Sequence, residues 1–183
     1  MKAKYFYYFY LLFFFLNFSE ISADTVFFDS KNIKIKDEGN TIYSTNGIAK
    51  IPNQKIVVKG DRYIYNKINS ELVVIGNVKF FDNQNDVIIK SEKAIYKEIE
   101  NIIFTKGKTN INFENKYEML SEDVLYDRNS SIIISDLYTE VFDNENNIYN
   151  FLDGFVFETI EEIVSSKKTN IIDNENTSYT FEN

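Results

Sequence analysis

Apolar and polar residues alternate along most of this chain with a period of two. In the segment Leu72-Val73-Val74-Ile75-Gly76-Asn77-Val78-Lys79-Phe80, one parity carries Leu72, Val74, Gly76, Val78 and Phe80; the other carries the polar Asn77 and Lys79. Further on, Ile103, Thr105, Gly107, Thr109, Ile111 and Phe113 share one face, and Lys106, Lys108, Asn110 and Asn112 share the other. Successive side chains on a strand point to opposite faces, so this is the pattern of strands with one buried face. The second face is not clean. Ile64, Val73, Ile75, Ile95 and Leu125 share the outward parity, so that face is either partly covered or lies under neighbouring strands.

The alternation is organised into a repeat. Gly60-Asp61-Arg62-Tyr63-Ile64-Tyr65-Asn66, Ser91-Glu92-Lys93-Ala94-Ile95-Tyr96-Lys97 and Ser121-Glu122-Asp123-Val124-Leu125-Tyr126-Asp127 share one pattern: small, acidic, charged, apolar, apolar, Tyr, polar. The tyrosines at 65, 96 and 126 are 31 and 30 residues apart, Phe157 lies 31 further on, and Ile35 lies 30 before Tyr65. A fixed period of about thirty residues is one supersecondary unit stacked several times. Such a unit buries its apolar face against its neighbours, so function belongs to the stack rather than to one catalytic pocket.

Each unit is predicted to hold two strands and two turns. Residues 61–65, 92–96 and 122–126 are the first strands, and 71–81, 102–113 and 131–142 the second. Asn- and Asp-rich stretches at 66–70, 82–86, 114–116, 127–130 and 143–147 are the turns. Gly76 and Gly107 each fall 11 residues after a repeat tyrosine, and Gly47 falls 12 after Ile35. A strand glycine marks a bulge or tight bend, so the sheet is expected to bend at one layer in every unit. Residues 158–166 are read as a degenerate strand. Residues 177–183 open a further half-unit, which is either cut from a longer protein or built to add onto another sheet. The fold class is all-β.

Residues 1–23 differ from the rest. Lys2 and Lys4 precede an apolar aromatic run from Tyr5 to Phe18, and Ile21-Ser22-Ala23 supplies small residues for cleavage. This predicts a cleaved export signal and a domain over 24–183; the alternative is an uncleaved membrane anchor. The 14-residue run as a helix rises only about 21 Å, short of a hydrocarbon core of about 30 Å. The net charge of −8 becomes −9 once Lys2, Lys4 and Glu20 are removed, which argues against a nucleic-acid partner or an anionic membrane surface. Cys and His are both absent. That excludes disulfides, Ser-His-Asp and Cys-His nucleophiles, and ordinary zinc sites, and no cofactor or metal is expected. Asp82-Asn83-Gln84-Asn85-Asp86 opens like a calcium loop but has Val87 at loop position six and Lys93 at twelve, so it is read as a turn. Adjacent Glu161 and Glu162 point to opposite faces of a strand and cannot share acid–base work.

The phrase Gly60 to Asn66 followed by Leu72-Val73-Val74-Ile75-Gly76-Asn77-Val78 resembles the OstA-like family. That family comprises the periplasmic lipopolysaccharide carrier LptA and the N-terminal domain of the outer-membrane assembly protein LptD. The match repeats over 91–107 and weakens over 121–137, where Leu137 replaces the Gly; the unit at 147–172 looks more like LptD. The resemblance implies a twisted β-jelly-roll, open at both ends, whose apolar interior shields the acyl chains of lipopolysaccharide. It also implies edge-to-edge pairing with other Lpt jelly rolls in the periplasm, on the way to the outer membrane. The candidate lining residues, taken from the inward parity, are Tyr63, Tyr65, Leu72, Val74, Val78, Phe80, Ala94, Tyr96, Ile103, Ile111, Phe113, Val124, Tyr126, Leu137 and Val141. Taken singly, each tyrosine of the ladder reads first as plain core with its hydroxyl at a rim and second as ligand lining. Lys90, Lys93, Lys106 and Lys108 are read as outward solubilising charge. Two other functions compete. A structural β-solenoid with no lipid ligand requires a closed, filled interior. A glycan-active β-helix enzyme requires clustered carboxylates at one phase of the repeat, and none stand there.

Overall fold

The computed structural model describes residues 26–182. The expected export signal lies outside them. Among the described residues, fifteen strands form one antiparallel sheet. In chain order they are β1 (Phe27–Lys36), β2 (Thr41–Ile51), β3 (Ile56–Asn66), β4 (Glu71–Asp82), β5 (Val87–Lys97), β6 (Ile102–Phe113), β7 (Tyr117–Glu122), β8 (Leu125–Asp127), β9 (Ile132–Ser135), β10 (Thr139–Asp143), β11 (Ile148–Phe151), β12 (Phe155–Glu158), β13 (Ile163–Ser165), β14 (Lys168–Ile172) and β15 (Ser178–Glu182). Up to β6 each strand pairs with the next along its whole length. At β6 the sheet forks. One arm runs β6-β7-β10-β11-β14-β15; the other runs β6-β8-β9-β12-β13.

The fork follows from a bend shared by the earlier strands. The register shifts between Lys59 and Arg62 on β3, between Ile75 and Val78 on β4, and between Ser91 and Lys93 on β5. The extra residue of each bulge sits at Gly76-Asn77 on β4 and at Gly107-Lys108 on β6. Gly76 and Gly107 take φ of 82° and 76°, a region that costs other residues a clash between Cβ and carbonyl. This is the layer the repeated glycines predicted. In β2 the left-handed residue is Asn46 (φ 52°) and not Gly47; Gly47 is needed because a Cβ there would lie 2.3 Å from the Ser30 Cβ. In later units the chain breaks at this layer instead of bending. β7 and β8 are separated at residues 123–124, and β9 and β10 at 136–138.

The bend folds the sheet in half. β4 spans twelve residues, so its ends stand about 36 Å apart when extended. Arg128 comes directly after β8, whose partner β6 starts at the Glu71 end of β4. Yet its guanidinium bonds Asp82, at the other end of β4. Lys116, in the β6–β7 turn, likewise reaches Glu162, in the β12–β13 turn, at 2.6 Å. The molecule is therefore a roll of two walls, joined by strands along the bend and meeting at two lips made of turns. The expected twisted open β-jelly-roll is the fold observed.

The turns of each lip are tied to one another by backbone. On one lip the amides of Lys67, Glu98, Arg128 and Thr159 donate to the carbonyls of Asn40, Ser70, Asn101 and Ser131. On the other, the amides of Asn83 and Glu114 donate to the carbonyls of Lys55 and Asp86. Asn66, Asp82, Asp127, Asp143 and Asp173 each accept from backbone amides within their own turns, the chemistry expected of Asn/Asp turns.

Three sequence expectations need correcting. Residues 61–65 and 92–96 are not whole strands but the second halves of β3 and β5. Inward parity flips across the bend, from Val58 to Tyr63 and from Ile89 to Ala94, so the alternation looked interrupted where the chain continues. Conversely, residues 122–126 and 131–142 are each broken in two at the bend. Residues 158–166 are not one strand: Glu158 ends β12, 159–162 are a turn, and Ile163–Ser165 is β13.

Candidate functional site

The interior is built from two facing rows of cross-strand neighbours. The first wall carries Phe28, Ala49, Val58, Phe80, Ile89, Ile111, Met119, Val141, Tyr149, Ile171 and Tyr179, each registered opposite the next. At about 4.8 Å per strand the row runs roughly 48 Å. The second wall carries Ile35, Ile42, Tyr65, Leu72, Tyr96, Ile103, Tyr126, Ile133, Phe157 and Val164. The repeat tyrosines are thus one continuous ladder, with Phe157 at the phase the spacing gave it. Nearer the bend, Tyr63, Val74, Ala94 and Thr105 form a further registered row.

Fourteen of the fifteen residues picked from inward parity lie in this buried interior: Tyr63, Tyr65, Leu72, Val74, Val78, Phe80, Ala94, Tyr96, Ile103, Ile111, Phe113, Val124, Tyr126 and Val141. Leu137 does not. It is 45% exposed, because it occupies the bend at the phase of Gly76 and Gly107, where the chain turns outward between β9 and β10. Lys90, Lys106 and Lys108 are on the outer face, and Lys106 pairs with Asp123 at 2.9 Å.

The interior is not uniform along its length. Through β3 to β6 the walls are in contact, and Phe80, Ile89, Ile103 and Ile111 are all at 0–1% exposure. Toward the C-terminal end the walls separate. A cavity of about 600 Å³ opens there, lined by Met119, Val141, Tyr149, Phe151, Phe157, Val164, Ile171 and Phe181, with Glu162 and Lys167 at its edge. The second wall stops at β13, whereas the first continues through β14 and β15. Ile171 and Phe181 therefore line an open cavity with the last residues of the second wall, and Tyr179 and Phe181 are 48% and 56% exposed.

Side chains close the lips over the packed stretch. Arg128 donates through Nε and Nη2 to the two carboxylate oxygens of Asp82 at 2.7 and 3.1 Å. The same guanidinium reaches the Gln54 side-chain and backbone oxygens, both at 3.1 Å, and Asn101 Oδ1 at 2.6 Å. The Tyr126 hydroxyl donates to Asp82 at 3.0 Å and accepts from Asn85 at 3.0 Å. The Tyr96 hydroxyl donates to Gln54. The ion pair is almost wholly buried, with side-chain exposures of 3% and 0%. Burial alone raises the Asp82 carboxyl, but the hydrogen bonds and charge of Arg128, with the Gln84 amide and Asn85, outweigh it and hold Asp82 below the ordinary carboxylate value. Burial first, then the Asp82 charge, pushes the Tyr126 phenol well above its usual value. Tyrosine hydroxyls thus sit at the rim while their rings sit in the core. Asp82 is spent on Arg128 and on its own turn, as the turn reading of 82–86 requires.

Sequence reasoning missed Gln54, Asp82 and Arg128 because their lips meet only after the sheet folds over. A signal was present. Arg128 is one of two arginines, two residues past a repeat tyrosine, at the phase of Lys67 and Glu98. It also missed Met119, Ile171 and Phe181 at the mouth.

No family model and no curated protein matches the sequence. Among solved structures, the chain is similar to LptH of Pseudomonas aeruginosa, described as the LptA-homologous periplasmic component of the conserved lipopolysaccharide transport device. The TM-score is 0.55 and the identity 12%, over 72% of this chain and 96% of that one. The likeness is one of fold: this chain has an LptA-like β-jelly-roll.

Proposed function

We propose that this protein is a periplasmic module of lipopolysaccharide transport. Its apolar interior shields the acyl chains of the lipid, and its edges pair with other jelly rolls of the same kind. One observation carries the reading: an apolar row about 48 Å long that crosses eleven strands and runs out into an open, one-walled mouth. A closed core has no use for such an end. Each acyl CH₂ taken from water contributes about 0.8 kcal/mol, so a few chains bind firmly without specific polar contacts. Lys167 stands at the cavity edge, where a lipid phosphate would lie once the tails are inside. Similarity in fold to a periplasmic lipopolysaccharide transport component supports the same reading. Among the described residues, the edge strands β1 and β15 each pair on one side only and keep exposed apolar residues, Phe27 and Ile33 on one, Tyr179 and Phe181 on the other, which suits strand addition.

The packed stretch from β3 to β6 favours a second reading, a structural β-roll with no lipid. One experiment separates the two. A photoreactive residue at 171 or 181 should crosslink to labelled lipopolysaccharide, and Phe181→Asp should abolish binding without moving the melting temperature. Absence of crosslinks from 171, 181, 80 and 113 in a folded protein selects the structural reading.

A further inference from the structure

Among the described residues, the lips are the place where the two walls of the packed stretch are held together by side chains alone. Along the bend they are joined by continuous backbone and the hydrogen-bond ladder of β3 to β6. Across the lips Gln54, Asp82 and Asn85 on one side bond Tyr96, Tyr126 and Arg128 on the other. The interior beneath is filled by its own side chains, so fatty tails find room there only if the walls part. The bend cannot release them without breaking ladder bonds. The lips can, by exchanging a small set of polar contacts for water.

The chemistry of this closure points the same way. Apolar residues of similar volume would hold two buried surfaces at least as well as a buried ion pair. A polar closure differs in being exchangeable. Once the lips move apart, water and an anionic headgroup satisfy a guanidinium as well as Asp82 does, whereas nothing in water replaces an apolar contact. Both sides also move as units, because each lip is tied along its length by turn-to-turn backbone bonds.

Resting on the carrier reading above, we propose that the seam is a lateral gate latched by Arg128 on Asp82 and Gln54, and that amphiphiles with anionic headgroups enter the interior sideways through it. The test locks the lips while leaving Arg128, Asp82 and Gln54 in place. Asn83 and Asn129 are exposed neighbours of Asp82 and Arg128 on opposite lips, and the chain has no cysteine. An Asn83→Cys/Asn129→Cys variant is bridged with a short reducible bis-thiol linker and mixed with fluorescent lipopolysaccharide; near-UV circular dichroism confirms that the fold is kept. The bridged protein should take up no label above background, and reduction should restore the uptake of the unbridged variant. Equal rate and extent of loading before and after reduction would overturn the gate while leaving the carrier reading intact. No loading in either state, with the fold kept, overturns both.

Discussion

The clasped middle of the roll and its C-terminal mouth are made from the same repeat and the same two rows. In the middle, Phe80 and Ile111 face a second wall and are sealed from water; at the mouth, Ile171 and Tyr179 continue the same row beyond the last strand of the second wall, and Tyr179 is 48% exposed. The difference lies just past the repeat tyrosine. Beyond Tyr126 comes Arg128, buried and bonded across the seam. The next rung is Phe157, which has no hydroxyl, and there the seam is joined by the exposed Lys116–Glu162 pair. The seam is thus fastened by a buried polar cluster in the middle and by an exposed ion pair near the mouth. One scaffold thereby holds both a packed stretch and an open cavity.

Removing the latch gives the largest expected effect. Arg128→Ala strands the Asp82 carboxylate in a buried site and should lower stability by about 3–5 kcal/mol. Ile111→Ala, a pure cavity in the same stretch, should cost about 2–5 kcal/mol. Chemical denaturation of both variants checks this. A loss for Arg128→Ala no larger than that of an ordinary surface substitution would erase the contrast between middle and mouth.

Acid should act on the middle next. Asp82 has a folded-state pKa below its unfolded value of about 3.9, so its contribution is fully present above that value and is lost as pH falls through the lowered folded one. The wild-type protein should therefore lose stability toward low pH more steeply than Asp82→Asn, once each is normalised to its neutral-pH value. Parallel pH profiles would remove Asp82 from the account.

The smallest effect belongs to the mouth. Glu162→Gln breaks an exposed pair and should leave the melting temperature where it was, since solvent and salt already screen such contacts. A clear destabilisation would mean that the two ends of the seam are fastened alike.

Much of the fold was legible in the residues themselves. The tyrosine spacing placed an entire wall, Ile35 and Phe157 included, because cross-strand register in a stack of equal units reproduces sequence period as spatial alignment. Gly76 and Gly107 announced the bend because few other residues accept their backbone. The features that stayed hidden depend on the bend itself. Parity flips within β3 and β5 disguised long strands as short ones. Leu137 read as interior, because counting by twos does not show where a strand leaves the sheet. Arg128 read as one more turn charge, because the Asp82 that receives it belongs to the opposite lip, 46 residues away.

The turn-to-turn bonds spaced one repeat apart carry a mechanical corollary. Along its long axis the molecule resists bending and shear with peptide hydrogen bonds from unit to unit, on both rims. Transverse to that axis the lips are joined by side chains, with the packed interior and the bend behind them. Such a body is built like a hinged cover, with peptide bonds stiffening each leaf and side chains fastening the free edge.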